Sequence, residues 1–543
     1  MSLKVPFPSA IPEDTRRVVE PLLGERNLYR LIGQEASQLL DEATLAGMYD
    51  AEGRSAINPG VLTLVTVFQF LEKWPDRAAA EMAVMRLDWK YALRQPLDWA
   101  GFHYADLCNF RKRLLKHGQE RAAFEHVLSY LRERGYLKAG GKQRTDSTHI
   151  LGAVMRLSRL ELVWETLRVA LGALVSVDVT WTLKWLPASF VEYYSQRRSD
   201  YRLSQEEVKQ AFSQAGKDGY WLIDQVASQG NAVVRAVPEM AQLRRVLEEQ
   251  FMRQGDGSAQ PRPPGDAGGD VLTTPHDPDV RYGDKGNRNW VGYKLQLTET
   301  ADPAAVHFLT DVEITSTVEQ DNERMEAIQD RLLAQHIAPA QQYVDQGYMS
   351  GETLARSLAQ GIDLRGLVRE GNTSKAPGFR LRDFAIDIDQ RQAICPAGQR
   401  SVKWAKAKPG VKNLIAYHVS FGRQCRTCPF FGPNLCTDKA SGRHLGLSRH
   451  HVLLQARRHE AETLTFQREM HLRAGIEATI SEVVRAHGAW RSRYRGLAKN
   501  QLQALFIATA TNLKRLARVA ESRITGVSLR LLASRPFSLG TLC

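Results

Sequence analysis

The order of strand and helix signals between residues 290 and 368 constrains this chain most. Two strand patterns, 290–299 and 306–314, come first without a helix between them. A helix pattern at 321–335 follows, then a strand at 342–345, a short helix at 351–360 and a strand at 363–368. Strands joined directly pair antiparallel, whereas strands joined through helices pair parallel. The stretch therefore predicts a mixed α/β sheet. A further strand is expected over 143–151, just after the turn-forming pair Gly140-Gly141.

The rest of the chain arranges itself around that sheet. Residues 1–135 read as a helical domain. Asn58-Pro59 opens one apolar helix, Trp74-Pro75-Asp76 breaks it with Asp76 as the expected cap, and a third helix from about Asp106 carries Arg111, Lys112, Arg113 and Lys116 beside Leu107, Phe110 and Leu114. This pattern suits either a DNA-binding helix-turn-helix, with Arg111 and Arg113 as DNA contacts, or a plain helical bundle. Residues 136–156 hold the first core strand, and 157–254 read as a helical insertion. The Gly- and Pro-rich stretch 255–275, densest over 254–270, is expected to be a flexible linker. Residues 276–370 complete the core, 371–470 form a turn-rich insertion with short strands near 384–388 and 393–395, 471–520 are helical and basic, and 521–543 are a tail.

Charge narrows the partners. Ordinary hydrophobic (43%) and charged (24%) fractions indicate globular protein, but the net charge of +13 favours a polyanion. The N-terminus has no apolar signal core. The most apolar stretch, 167–186, is interrupted by Arg168, Asp178 and Lys184, so no membrane span is expected and the location is read as cytoplasmic. Between His471 and Ala520 nine Lys/Arg face two acids, Glu477 and Glu482, and Trp490-Arg491-Ser492-Arg493-Tyr494-Arg495 interleaves aromatics with arginine. With Lys499, this is the composition of a surface that binds phosphates and stacks on bases.

Three carboxylates stand out by setting. Asp146 lies in the strand Arg144-Thr145-Asp146-Ser147-Thr148-His149, and Asp345 ends the apolar run Tyr343-Val344-Asp345. Glu477 shares a helical face with Arg473, Ser481 and Arg485. An acid at a buried strand needs a partner or a metal. If folding gathers all three, they suit two hard divalent cations and phosphodiester chemistry. Asp311, Asp321 and Asp363 are competitors near strand ends. Asp284 reads as a turn residue, and Glu482 falls on a different helical face from Glu477. Separately, Cys395, Cys425, Cys428 and Cys436 can close a tetrahedral Zn²⁺ site, though the same cysteines can be plainly buried or redox-active.

On four of these segments the chain resembles a bacterial insertion-sequence transposase of the DDE type. They are the helical stretch 58–115, the strand Thr145–His149, the pair Trp290–Lys294 and Tyr343–Tyr348, and the long motif 473–516. The resemblance implies a ribonuclease H-like mixed sheet as the core, with Asp146 and Asp345 on strands and Glu477 on a packed helix. It implies two Mg²⁺ (or Mn²⁺) ions on these three residues, and Arg473 and Arg485 as phosphate clamps. Double-stranded DNA would be the substrate, as the element's terminal inverted repeats and the target, handled by a homodimer. Cleavage at element ends followed by strand transfer is the implied activity; a two-metal nuclease without strand transfer, or an inactive DNA-binding relative, are alternatives. Relatives often carry a tyrosine three residues before the arginine and a basic residue seven after the glutamate. Here those positions are Met470 and Val484, with Arg485 one place later.

Overall fold

The computed structural model describes all residues except Met1, 257, 286–287, 304, 370–377, 408–414, 434 and 526–543. Most of the expected tail and three parts of the turn-rich insertion thus lie outside the described residues.

A six-stranded mixed sheet forms the centre, from β1 (Lys142–Leu151), β2 (Arg281–Lys285), β3 (Arg288–Thr300), β4 (Leu309–Ser316), β5 (Gln341–Val344) and β6 (Asp363–Arg365). β1 is internal. It pairs antiparallel with β3, from Gln143 opposite Thr300 to Leu151 opposite Gly292, and parallel with β5, from Lys142 opposite Gln341 to Thr145 opposite Val344. β6 extends the parallel side. The outer edge of β3 takes β2 along its first residues and β4 along the rest. Each strand expected between 290 and 368 is present, with boundaries moved by a few residues.

The N-terminal helices include α1 (Pro59–Glu72), α2 (Asp76–Met85), α3 (Ala105–Lys116) and α4 (Ala122–Glu133). The Asn58 side chain caps α1 by accepting from the backbone N–H groups of Gly60 and Val61, and Pro59 fills the first helical position. Asp76 is not the cap of α2; Pro75 precedes the helix, and the Asp76 carboxylate instead accepts from Gln69 and pairs with Arg111. These helices are no detached module. One continuous core runs from Phe7 through the sheet to Val519.

The helical insertion has its own core, built on α5 (Arg159–Val177), α6 (Gln205–Gln229) and α7 (Pro238–Gln250). Ser158 and Ser204 open α5 and α6 with reciprocal capping boxes to Glu161 and Glu207. The stretch expected to be a free linker departs from that reading. Ala259–Pro261 pairs with Phe251–Arg253 as a small hairpin, and buried Ala259 and Leu272 anchor it to the insertion's core. A short backbone ladder and two apolar anchors hold part of a stretch whose other described residues are mostly exposed, as the composition suggests.

After α8 (Asp321–Ala334) and α9 (Gly351–Ala359), the chain leaves β6 for a second insertion of short strands. These include Ala385–Asp387 with Gln392–Ile394, and the three-stranded set Lys403–Lys406, Ile415–Ser420 and His444–Ser448. The chain returns through His451–Ala461 into α10 (Leu464–Ala474), α11 (Ile476–Ser481), a π turn at Glu482–Ala486 and α12 (Leu497–Thr525). On α12, Asn512 exchanges two hydrogen bonds with the Leu309 backbone and Gln501 bonds to Ile314 N and Val312 O. These side chains close the free edge of β4. Among the described residues no helix is long and apolar enough to cross a membrane.

Candidate active site

The register of two strands sets the first pair of carboxylates. Thr145 on β1 stands opposite Val344 on the parallel strand β5. Asp345 keeps an extended backbone (φ −73°, ψ 163°), so the next residues in register are Asp146 and Asp345. Paired residues of adjacent parallel strands point to the same face, across about 4.8 Å. The Asp146 side chain is 14% exposed and Asp345 is open to solvent.

The helices carrying Glu477 lie across that face. Arg144, two residues before Asp146 and so on its side of β1, donates to Leu472 O at 2.8 Å. Arg473 Nη1 lies 3.1 Å from Asp146 Oδ2. Thr479 donates to Glu299 at 2.6 Å, which ties α11 to β3. Ile476 and Thr479 face inward, while Glu477 is exposed one turn beyond Arg473. Gly475 joins the two helices because the Arg144 guanidinium occupies the place of its absent Cβ.

Beneath the face is a buried charge network that sequence reading missed. Glu299 is fully buried and receives Arg144 at 2.6 Å and Arg515 Nη1 at 2.9 Å. Burial pushes its pKa up, but Arg515 and Arg144 outweigh this and hold it below the usual carboxylate value. Arg515 continues to Glu482 at 2.9 Å. There too burial raises the pKa, and Arg515 and Lys514 bring it down to about 2. The only trace of this network in sequence is strand parity, which puts Arg144 on the face of Asp146.

Tyr348 supports Asp345 from the opposite side. Its N–H donates to Asp345 O at 3.1 Å, its ring is fully buried, and its hydroxyl donates to Gln296 of β3. Burial first, then the fields of Asp321, Asp146 and Asp345, push the phenol well above its ordinary pKa, so it stays a donor. Of the competing acids, Asp311 is consumed by Arg121 and Arg331, Asp363 by Arg365 and Arg457, and Asp321 by Lys294 and Gln296.

The departure at Val484 has a local geometry. Arg485 lies eight residues after Glu477, which on a regular helix turns it about 80° away. The π turn, closed by His487 N–H on Glu482 O at 3.3 Å, takes an extra residue and rotates Arg485 back toward the side of Glu477. Arg485 is exposed, whereas Val483 is buried.

The expected DNA contacts divide. Arg491, Arg495 and Lys499 are exposed, and Trp490 is half-exposed. Arg493 donates to Trp74 O at 2.7 Å with its guanidinium over the Phe70 ring, and Tyr494 stacks under Arg111. Arg111 itself is buried and paired with Asp76, and Arg113 donates to Met48 O over the Tyr49 ring. Arg111 with Tyr494, and the exposed Arg493 with Trp74 and Phe70, thus tie the N-terminal helices to the segment before α12, while Arg113 makes a tie within the N-terminal helices. The exposed cations of α3 are Lys112 and Lys116. Alternation of basic and apolar residues marks an amphipathic helix but does not say which cations fold inward.

The donor set fits a hard divalent cation in chemistry and access: carboxylate oxygens only, with Asp345 and Glu477 open to solvent. Among the described residues no three His, Cys, Asp or Glu side chains stand in a ligand arrangement. Cys395, Cys425, Cys428 and Cys436 nevertheless line one small cavity.

Residues 394–517 match the family model described as a transposase DDE domain, and residues 19–113 match the transposase domain (DUF772). The first match contains Glu477 and the four clustered cysteines; Asp146 and Asp345 fall between the two. No curated protein and no solved structure matches the chain.

Proposed function

We propose, from the premise that this chain carries the domains of an insertion-sequence DDE transposase, that it cuts DNA at the ends of its element and joins them to a target. The observation that carries this reading is the register placing Asp146 beside Asp345 on one sheet face, with the Glu477 helix packed across it. The strand order β4–β3–β1–β5–β6, three antiparallel strands followed by two parallel ones, supports a ribonuclease H-like core.

Asp146, Asp345 and Glu477 are the residues that would hold two Mg²⁺ or Mn²⁺ ions, which when bound lower the pKa of an attacking hydroxyl and neutralise phosphate charge. Arg473 orients Asp146 through its ion pair. Arg485, exposed on the Glu477 side, receives a phosphate oxygen, and Arg491, Arg495 and Lys499 continue that track for the DNA backbone. Water attacks the phosphodiester at the element end and frees a 3′-hydroxyl. That hydroxyl then attacks a target phosphodiester and displaces another 3′-oxygen, so the number of phosphodiesters is conserved in the second step. Two copies, one per element end, would complete the reaction.

Asp146→Asn and Asp345→Asn are each expected to lower Mn²⁺-dependent cleavage of an end-containing duplex by roughly 10³-fold or more, with DNA affinity retained. Unchanged cleavage in either variant sinks the site. A precut end offered with a target plasmid separates a transposase, which joins them, from a nuclease, which does not.

A further inference from the structure

Among the described residues the second insertion has a small buried core of its own. Its described buried cluster is Phe384, Ala393, Val419, Phe421, Cys425, Leu445 and Leu447, separate from the core of the sheet. A buried cluster this small gains from a disulfide or metal staple. Its four cysteines are free thiols around one cavity walled by Phe379, Phe421, Phe430 and Phe431. Their local backbone suits sulfur ligation. Gly398, at φ +78°, turns the chain so that Gln399 N–H donates to Cys395 Sγ at 3.3 Å, and Arg443 N–H donates to Cys425 Sγ at 3.4 Å.

Arg443 supplies an independent indication. Its half-buried guanidinium donates to two carbonyls, Cys436 O at 3.4 Å and Phe379 O at 3.3 Å, and lies 5.8 Å from the centre of the Phe384 ring. Among the described residues its buried Nε has no acceptor, and neither acceptor of its guanidinium is a carboxylate. A cation in that position calls for a counter-charge. A divalent ion held by four thiolates carries net negative charge and supplies it.

We propose that Cys395, Cys425, Cys428 and Cys436 bind one Zn²⁺ as a structural tetrathiolate site, with Arg443 as its counter-ion. Soft sulfur donors select zinc over the hard ions suited to the carboxylates. The sulfurs do not already stand in a ligand arrangement, so binding draws them inward to about 2.3 Å from the ion. Each thiol that ligates releases its proton to solvent. The inference does not rest on the transposase reading.

Full-length protein purified without added chelator is expected to carry about one equivalent of zinc by elemental analysis. Exchange with Co²⁺ should give thiolate-to-cobalt charge-transfer bands in the near ultraviolet. Cys425→Ser and Cys428→Ser should each reduce the zinc to below about a tenth of an equivalent, while Cys108→Ser keeps it. Cys428→His, which retains a zinc-competent ligand, should hold the ion with an altered cobalt spectrum and so separates ligation from general misfolding. Folded wild-type protein with less than about half an equivalent, zinc unchanged by both serine variants, or iron in place of zinc would each overturn the proposal.

Discussion

Gly475 shows how much one missing methyl group can decide. A Cβ there would overlap the Arg144 guanidinium, which is itself held by Glu299 and Leu472 O. Gly475→Ala must therefore push Arg144 off a buried partner, at a cost of about 1–3 kcal/mol. Urea denaturation should show this as a lower midpoint, and a midpoint equal to wild type would remove Arg144 as the reason for the glycine. His487 gives a pH-dependent counterpart. It is 2% exposed, and burial, aided by the nearby Lys514 charge, holds its pKa at about 4 against an ordinary 6.5. The unfolded chain takes up this proton below pH 6.5, while the folded chain resists it until about pH 4. Stability is thus complete above pH 6.5 and declines through that window as pH falls, by on the order of 3 kcal/mol from this group. His487→Gln should flatten that part of the Tm-against-pH curve; an unchanged curve would show that His487 does not titrate as described.

Two successive helices and a π turn, rather than one uniform helix, carry the third carboxylate. Their attachment is polar as well as apolar: Ile476 and Val483 bury themselves, while Thr479 and Arg515 converge on Glu299. Removing the carboxylate charge leaves Arg144 and Arg515 buried without their common partner. Glu299→Gln is accordingly expected to cost about 3–5 kcal/mol and to reduce cleavage through misplacement of Glu477. A cleavage rate unchanged at a temperature where the variant is folded would show that the network supports the fold but not the site. The elements themselves were legible in the sequence. The strand patterns, Asn58-Pro59 and the Gly140-Gly141 turn predicted them, since each signal acts within a few residues. Asp76 was misassigned because a cap and an internal ion-pair partner look alike until Arg111 arrives from a different helix.

Across the molecule, the net charge of +13 is distributed unevenly in function. Arg491, Arg495 and Lys499 are exposed, whereas Arg111 is spent inside the fold. Replacing any of the first three by alanine should lower the slope of log affinity against log salt by about one. Arg111→Ala should leave the slope unchanged and lower thermal stability instead; titrations of end-containing duplex over a salt series measure both. The sequence by itself determined the mixed sheet, the two insertions and the three carboxylate positions worth watching, because alternation, turn residues and local charge settings are written within short windows. Only the tertiary structure decided that Asp146 and Asp345 each follow the last paired residues of β1 and β5, that four cysteines surround one cavity, and that Arg111, expected to face DNA, is buried against Asp76. The reason is physical: strand register, helix rotation and burial are set by partners hundreds of residues away, and a side chain's chemistry does not reveal which of them it will meet.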